Sequence, residues 1–90
     1  MKVAQAGSLE SCDALITVRE LPQGSGVKIS IEGTSKYRFG EHIRKLIEET
    51  LSSLGEKDIE VQVQDNGALD PTLKARLETA VSRLREGEKR

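Results

Sequence analysis

ALITVRELPQGSGVKISIE, residues 14–32, is the stretch whose reading decides the fold. Within it Ile16 and Val18 alternate with Thr17 and Arg19, and Val27, Ile29 and Ile31 alternate with Lys28, Ser30 and Glu32. Successive side chains of a strand point to opposite faces, so each run describes a strand with one apolar and one polar face. PQGSG between them is a turn signal. Two such runs across a short glycine-containing loop predict a β-hairpin.

Downstream the period changes. Ile43, Leu46, Ile47, Leu51 and Leu54 follow the 3.6-residue repeat of an amphipathic helix over residues 37–54, and Gly55 is placed to stop it. Ile59, Val61 and Val63 alternate with Glu60, Gln62 and Gln64, a third strand, and Asn66-Gly67 turns the chain. Asp70-Pro71 then predicts a helix start, with an acceptor side chain at the N-cap and proline at the first helical position. Leu73, Leu77, Ala80, Val81 and Leu84 make the apolar stripe of that second helix. The expected fold is α+β: a two-layer α/β sandwich in the order ββαβα, a three-stranded sheet with both helices on one face. Strand order stays open at this level. Residues 1–13 are expected to form a flexible N-terminal arm, residues 14–86 a single α/β domain, and residues 87–90 a frayed tail.

Composition narrows the function. Ninety residues support one domain with a modest core. Tyr37 and Phe39 are the aromatic residues, too few for a base-stacking platform or an aromatic-lined pocket. Fourteen basic residues face fifteen acidic ones, so no nucleic-acid footprint is expected. The charge is uneven: residues 41–70 hold three basic and eight acidic groups, residues 71–90 six and three, a polarity that can orient a protein partner. No apolar run has the length of a membrane span and no secretory signal opens the chain, so the cytoplasm is the expected compartment. One cysteine permits no internal disulfide, and one histidine beside it assembles no closed zinc site.

Few residues carry chemistry. His42 falls at the start of the first helix with no partner implied by spacing, and reads as a surface histidine. Cys12 lies between Glu10 and Asp13, neighbours that disfavour a thiolate. Gly24 and Gly26 sit in a loop between strands and do not open a helix, so they cradle no phosphate. DNGALD (65–70) lacks the further ligands of a calcium loop and reads as a turn plus a helix cap. No catalytic residue and no metal site is expected. Ser11, with no base to activate it, reads by itself as an ordinary loop serine, yet a hydroxyl on an exposed acidic stretch is open to modification by another enzyme. A plain interaction module and a thiol redox protein stand as competing readings of these residues.

Three stretches together carry a resemblance: AGSLESCDALI (6–16), FGEHIR (39–44) and VQDNGALDPTLKARLETAV (63–81). They resemble the acyl carrier protein of citrate lyase, the gamma subunit family, and more distantly the carrier of malonate decarboxylase. They do not resemble the helical carrier of fatty-acid synthesis, and the alternating strands exclude an all-helical bundle. The resemblance implies a non-catalytic carrier subunit in which Ser11 holds 2'-(5''-phosphoribosyl)-3'-dephospho-CoA through a phosphodiester, Glu10 and Asp13 completing the attachment motif. It implies a hetero-oligomer with alpha (transferase) and beta (lyase) subunits, between which acetyl and citryl thioesters pass as citrate is cleaved to oxaloacetate and acetate. A dedicated prosthetic-group transferase would load Ser11. Supporting roles fall to Glu10 and Asp13, as charges for that transferase, and to Lys74 and Arg76, as contacts for a phosphate or a partner. Citramalate lyase and malonate decarboxylase complexes are the related alternatives. The chain departs from the family at Cys12, where a small residue, often glycine or serine, is usual, and by ending soon after the second helix.

Overall fold

The computed structural model describes residues 2–34 and 36–86, with the backbone alone of Lys36 and Tyr37. The elements run β1 (Val3–Gly7), β2 (Asp13–Glu20), β3 (Val27–Gly33), α1 (Lys36–Ser53), β4 (Ile59–Asn66) and α2 (Asp70–Arg85). One sheet holds four strands in the order β1-β2-β4-β3. The expected three-stranded sheet in ββαβα order is therefore corrected to βββαβα.

The added strand lies inside the expected arm. β1 pairs antiparallel with β2, from Val3 opposite Arg19 to Gly7 opposite Leu15. Its inward residues are Ala4 and Ala6, too small to give a strong periodic signal in sequence. Small side chains suit the place, because α2 packs over this edge and Arg83 Nη1 donates to the Gln5 carbonyl at 2.7 Å. The expected frayed tail, residues 87–90, lies outside the described residues.

The hairpin is the second correction. β2 and β3 do not pair; β4 lies between them, antiparallel to β2 and parallel to β3, with Val61 opposite both Val18 and Ile29. Strands flanking a third lie ~9.6 Å apart, a gap the loop over residues 21–26 crosses easily. Asp58, just before β4, fastens that loop: Oδ1 accepts from Gly24 N at 3.1 Å and Gly26 N at 2.9 Å, and its carbonyl accepts from Leu21 N. β2 and β3 run in opposite directions whether adjacent or separated by one strand, so alternation and loop length fit either arrangement. A parallel β3–β4 pair needs a long crossover, which α1 supplies.

Buried side chains gather on one face of the sheet. Ile43, Ile47 and Leu51 of α1 and Leu73, Leu77, Ala80, Val81 and Leu84 of α2 join Ile16, Val18, Ile31, Ile59, Val61 and Val63 in a single core. Each large aliphatic chain removed from water contributes ~1.5–3 kcal/mol. Gly55 ends α1 with φ +74°, and a pair of hydrogen bonds, Glu56 N to Leu51 O and Gly55 N to Ser52 O, satisfies its last carbonyls. Leu54, expected in the buried stripe, lies past the helix end and is exposed. Leu69 occupies the N-cap of α2 without a side-chain cap bond, and Asp70, expected there, falls in the first turn. Among the described residues no helix is long and apolar enough to cross a membrane.

Cross-linking tests the strand order. In a Cys12→Ser background, Thr17→Cys with Gln62→Cys should form a disulfide on mild oxidation, since directly opposed residues lie ~4.5–5.5 Å apart. Thr17→Cys with Ser30→Cys should not, because β4 separates them, whereas a β2–β3 hairpin would bring these two runs into contact.

Candidate functional site

Residues 8–12 link β1 to β2, so the serine singled out by sequence rides on a short hairpin loop. Gly7 lets the loop close: its φ is +97°, and a Cβ there would stand 1.9 Å from the Ala14 carbonyl oxygen. Ser8 N donates to that same carbonyl at 3.2 Å. Glu10, Ser11, Cys12 and Asp13 then make a turn closed by Asp13 N donating to the Glu10 carbonyl at 3.2 Å. Ser11 is at its second position and Cys12 at its third, where φ is +64°. A left-handed third residue is the type II pattern, and it favours glycine. Cysteine holds that conformation at a cost of ~1 kcal/mol.

Three groups brace the turn from outside. Asn66, at the end of β4, accepts from Cys12 N at 2.8 Å through its carbonyl and donates from Nδ2 to the Leu9 carbonyl at 3.1 Å. Ser8 Oγ donates to Asp13 Oδ2 at 2.7 Å and accepts from Glu10 N at 3.2 Å. Arg76, on α2, grips Asp13 with both arms of its guanidinium, Nε to Oδ1 at 3.0 Å and Nη2 to Oδ2 at 3.2 Å. A fork-to-carboxylate pair of this kind fixes orientation as well as charge. The Arg76 bonds, then the Ser8 hydroxyl and the Ala14 N–H, lower the Asp13 carboxyl from 3.8 to about 2.

Ser11 is exposed at the corner of this braced turn, and its hydroxyl has no hydrogen-bond partner among the described residues. Glu10 and Cys12 beside it are exposed too. Of the residues expected to support it, Asp13 and Arg76 come together as the brace. Glu10 contributes backbone groups to the turn and leaves its carboxylate in solvent. Lys74 is exposed on α2 and, two residues from Arg76, projects from another face of the helix. Ser8 and Asn66 went unnoticed in sequence, where both look like ordinary turn residues. His42 pairs with Asp70, Nε2 to Oδ2 at 2.6 Å, joining the second turn of α1 to the first residue of α2. No group of three or more His, Cys, Asp or Glu side chains among the described residues is placed to hold a metal ion.

The turn thus leaves the Ser11 hydroxyl exposed and without a hydrogen-bond partner among the described residues, while hydrogen bonds from Ser8, Asn66 and Arg76 hold the backbone and Asp13 around it. The family model described as ACP: malonate decarboxylase delta subunit (MdcD) matches residues 1–84. The citrate lyase acyl carrier protein of Streptococcus uberis is 48% identical, the match covering 92% of this chain and 80% of the relative. That of Streptococcus mutans is 46% identical over 97% of this chain and 84% of the relative. That of Halothermothrix orenii is 38% identical over 96% and 89%. The chain belongs to the citrate lyase acyl carrier protein family. Among solved structures, a chain of a Pseudomonas malonate decarboxylase hetero-tetramer shares the fold, with a TM-score of 0.76 at 16% identity over 92% of this chain and 84% of that one. Part of a homoserine kinase from Cytophaga hutchinsonii also shares the layout, with a TM-score of 0.57 at 15% identity, covering 93% of this chain and 35% of the kinase. The layout alone therefore assigns no function.

Two measurements check the brace. The Asp13 carboxyl, followed by NMR, should titrate near pH 2, and Arg76→Met should move its midpoint up toward the ordinary value. Because the folded value lies below the unfolded one, the pairing stabilises the fold fully above pH 3.8 and is lost as the pH falls to about 2; Asp13→Asn should remove that part of the acid-unfolding curve. In urea, Cys12→Gly should be neutral or stabilising by up to ~1 kcal/mol, and Cys12→Val destabilising by ~1–2 kcal/mol, since a β-branched residue tolerates the left-handed region worst.

Proposed function

We propose that this chain is the acyl carrier subunit of a cytoplasmic citrate lyase complex, with Ser11 as the covalent attachment point of 2'-(5''-phosphoribosyl)-3'-dephospho-CoA. The observation that carries the reading is the Ser11 turn itself: an unpartnered, exposed hydroxyl at the tip of a loop whose other residues are tied down. The residues fit such a group. A phosphodiester at Ser11 Oγ would lie outside the turn and disturb no hydrogen bond of the brace. When bound, that group supplies a terminal thiol on which acetyl and citryl units are carried as thioesters between the transferase and lyase subunits. The chain's own part is to hold the attachment point rigidly and to raise the local concentration of the tethered thioester at each partner site.

Relatives at 38–48% identity named citrate lyase acyl carrier protein favour the citrate lyase complex. The family description names malonate decarboxylase, and a carrier of that complex is the second reading. Glu10, as an exposed charge beside Ser11, is assigned to recognition by the prosthetic-group transferase, and Lys74 to contact with a partner subunit. Intact mass of the protein purified from its native host during growth on citrate should exceed the sequence mass by that of the prosthetic group, and Ser11→Ala should abolish the increment. Co-purification of transferase and lyase subunits selects the citrate lyase complex; an unmodified chain from such cells overturns the carrier reading.

A further inference from the structure

A groove of about 810 Å³ lies between the first two turns of α1, the link from β4 to α2 and the first turn of α2. Phe39, Ile43, Ala68, Leu69, Pro71 and Leu73 line it. Two of these are large apolar residues left open to water, Leu69 at 73% and Phe39 at 49% exposure. A volume of this size matches a drug-sized ligand. The His42–Asp70 pair belongs to the wall, and α2 begins there with no side chain capping its first N–H groups, so an apolar surface is joined by hydrogen-bonding groups of both kinds.

One short segment serves both this groove and the Ser11 turn. Asn66 braces the turn at Cys12 and Leu9, Gly67 bridges to Asp13 and also lines the groove, and Ala68 follows in the groove wall. The link that walls the groove is therefore the one that bonds to the loop presenting Ser11. A group tethered at Ser11 meets it at an effective concentration of order millimolar, far above that of a free competitor. Beyond its anionic phosphoribosyl and adenosine diphosphate part, that group ends in a neutral, amide-containing chain with a terminal thiol, and this segment complements an apolar trough with a few polar groups at its wall.

We infer that this groove is the resting berth of the thiol-ended amide arm attached at Ser11, which docks there between visits to partner sites. The inference rests on Ser11 being the attachment point. Docking shields the thiol and its acyl group from solvent, and a partner subunit draws the arm out by binding it more tightly.

The test uses holo protein in a Cys12→Ser background, so that the arm carries the sole thiol, with loading verified by intact mass. Arm-thiol alkylation by iodoacetamide should be about fivefold slower than in the same holo protein carrying Leu69→Asp, as expected for an arm docked about four-fifths of the time. Leu69→Asp places a good capping residue at the start of α2, so loss of the effect does not reflect unfolding; Phe39→Ser is the second variant and should act alike. Amide NMR shifts on loading should include Ala68, Leu69 and the first turn of α2. Shifts confined to residues 8–13 and 66, with alkylation unaffected by either variant, overturn the berth and leave Ser11 as the attachment point. Absence of the mass increment in protein from the native host overturns the attachment reading, and the berth with it. Groove shifts in the unmodified protein that grow with its own concentration give the groove to a second copy and overturn the berth. Groove shifts that appear only when partner subunits are added give it to those subunits, with the same result.

Discussion

β4 is bonded on both sides, antiparallel to β2 and parallel to β3, and nearly everything else in the molecule hangs from that double pairing. Burial suits the position. Ile59, Val61 and Val63 have at most 1% exposure, as expected of a strand paired along both edges with its apolar face in the core. With β4 in the middle, β2 has a free edge that β1 fills, β3 becomes the other edge, and α1 must cross over to make the parallel join. α2 then returns over β1 and β2 and completes the core with Leu73, Leu77 and Leu84.

The end of β4 also organises the site. Asp65, almost fully buried, accepts from Thr34 N through its carbonyl and from Ala68 N through Oδ1, so it closes β3 on one side and shapes the start of the next segment on the other. Asn66 reaches back to the Ser11 turn, and residues 67–69 form the groove wall. A change at the end of one strand therefore reaches the loop that presents the hydroxyl and the wall of the groove. Arg76 adds an electrostatic tie from α2. Its worth lies in direction: a forked guanidinium on Asp13 sets the angle of the turn relative to the helix, while Asp13 stays ionised far below neutral pH. In the proposed carrier role, a stiff Ser11 turn would suit a long flexible group, because mobility would then be supplied by the group and the protein surface near it would stay constant for each partner.

Legibility differed from element to element. The stripes of α1 and α2 and the alternation of β2, β3 and β4 were readable because periodicity reports which face of an element is buried. β1 was hidden because Ala4 and Ala6 carry too little apolar contrast, and because an edge strand of this kind exists only where a neighbour leaves an edge open. The supposed β2–β3 hairpin failed because periodicity does not name a strand's neighbour. Asp58, which ties the connecting loop to β4 through Gly24 and Gly26, lies more than thirty residues from them and leaves no local mark. At the site, SLESCD with the later DNGALD and LKARLE stretches marked Ser11, Glu10, Asp13 and Arg76 by resemblance. Nothing in composition or spacing joined Asp13 to Arg76, or Leu9 and Cys12 to Asn66.

By itself the sequence determined the two-layer character, the helices and their buried faces, the three apolar strands and the family, since all of these are written in local pattern or in family motif; it also singled out Ser11 as the expected attachment point. Tertiary structure alone decided the strand order, the fourth strand, the left-handed turn at Cys12, the brace around Ser11 and the groove between the helices. Each of those depends on contacts between residues far apart in the chain, where pairing partners are selected by the burial of the whole sheet and not by any one segment's preference.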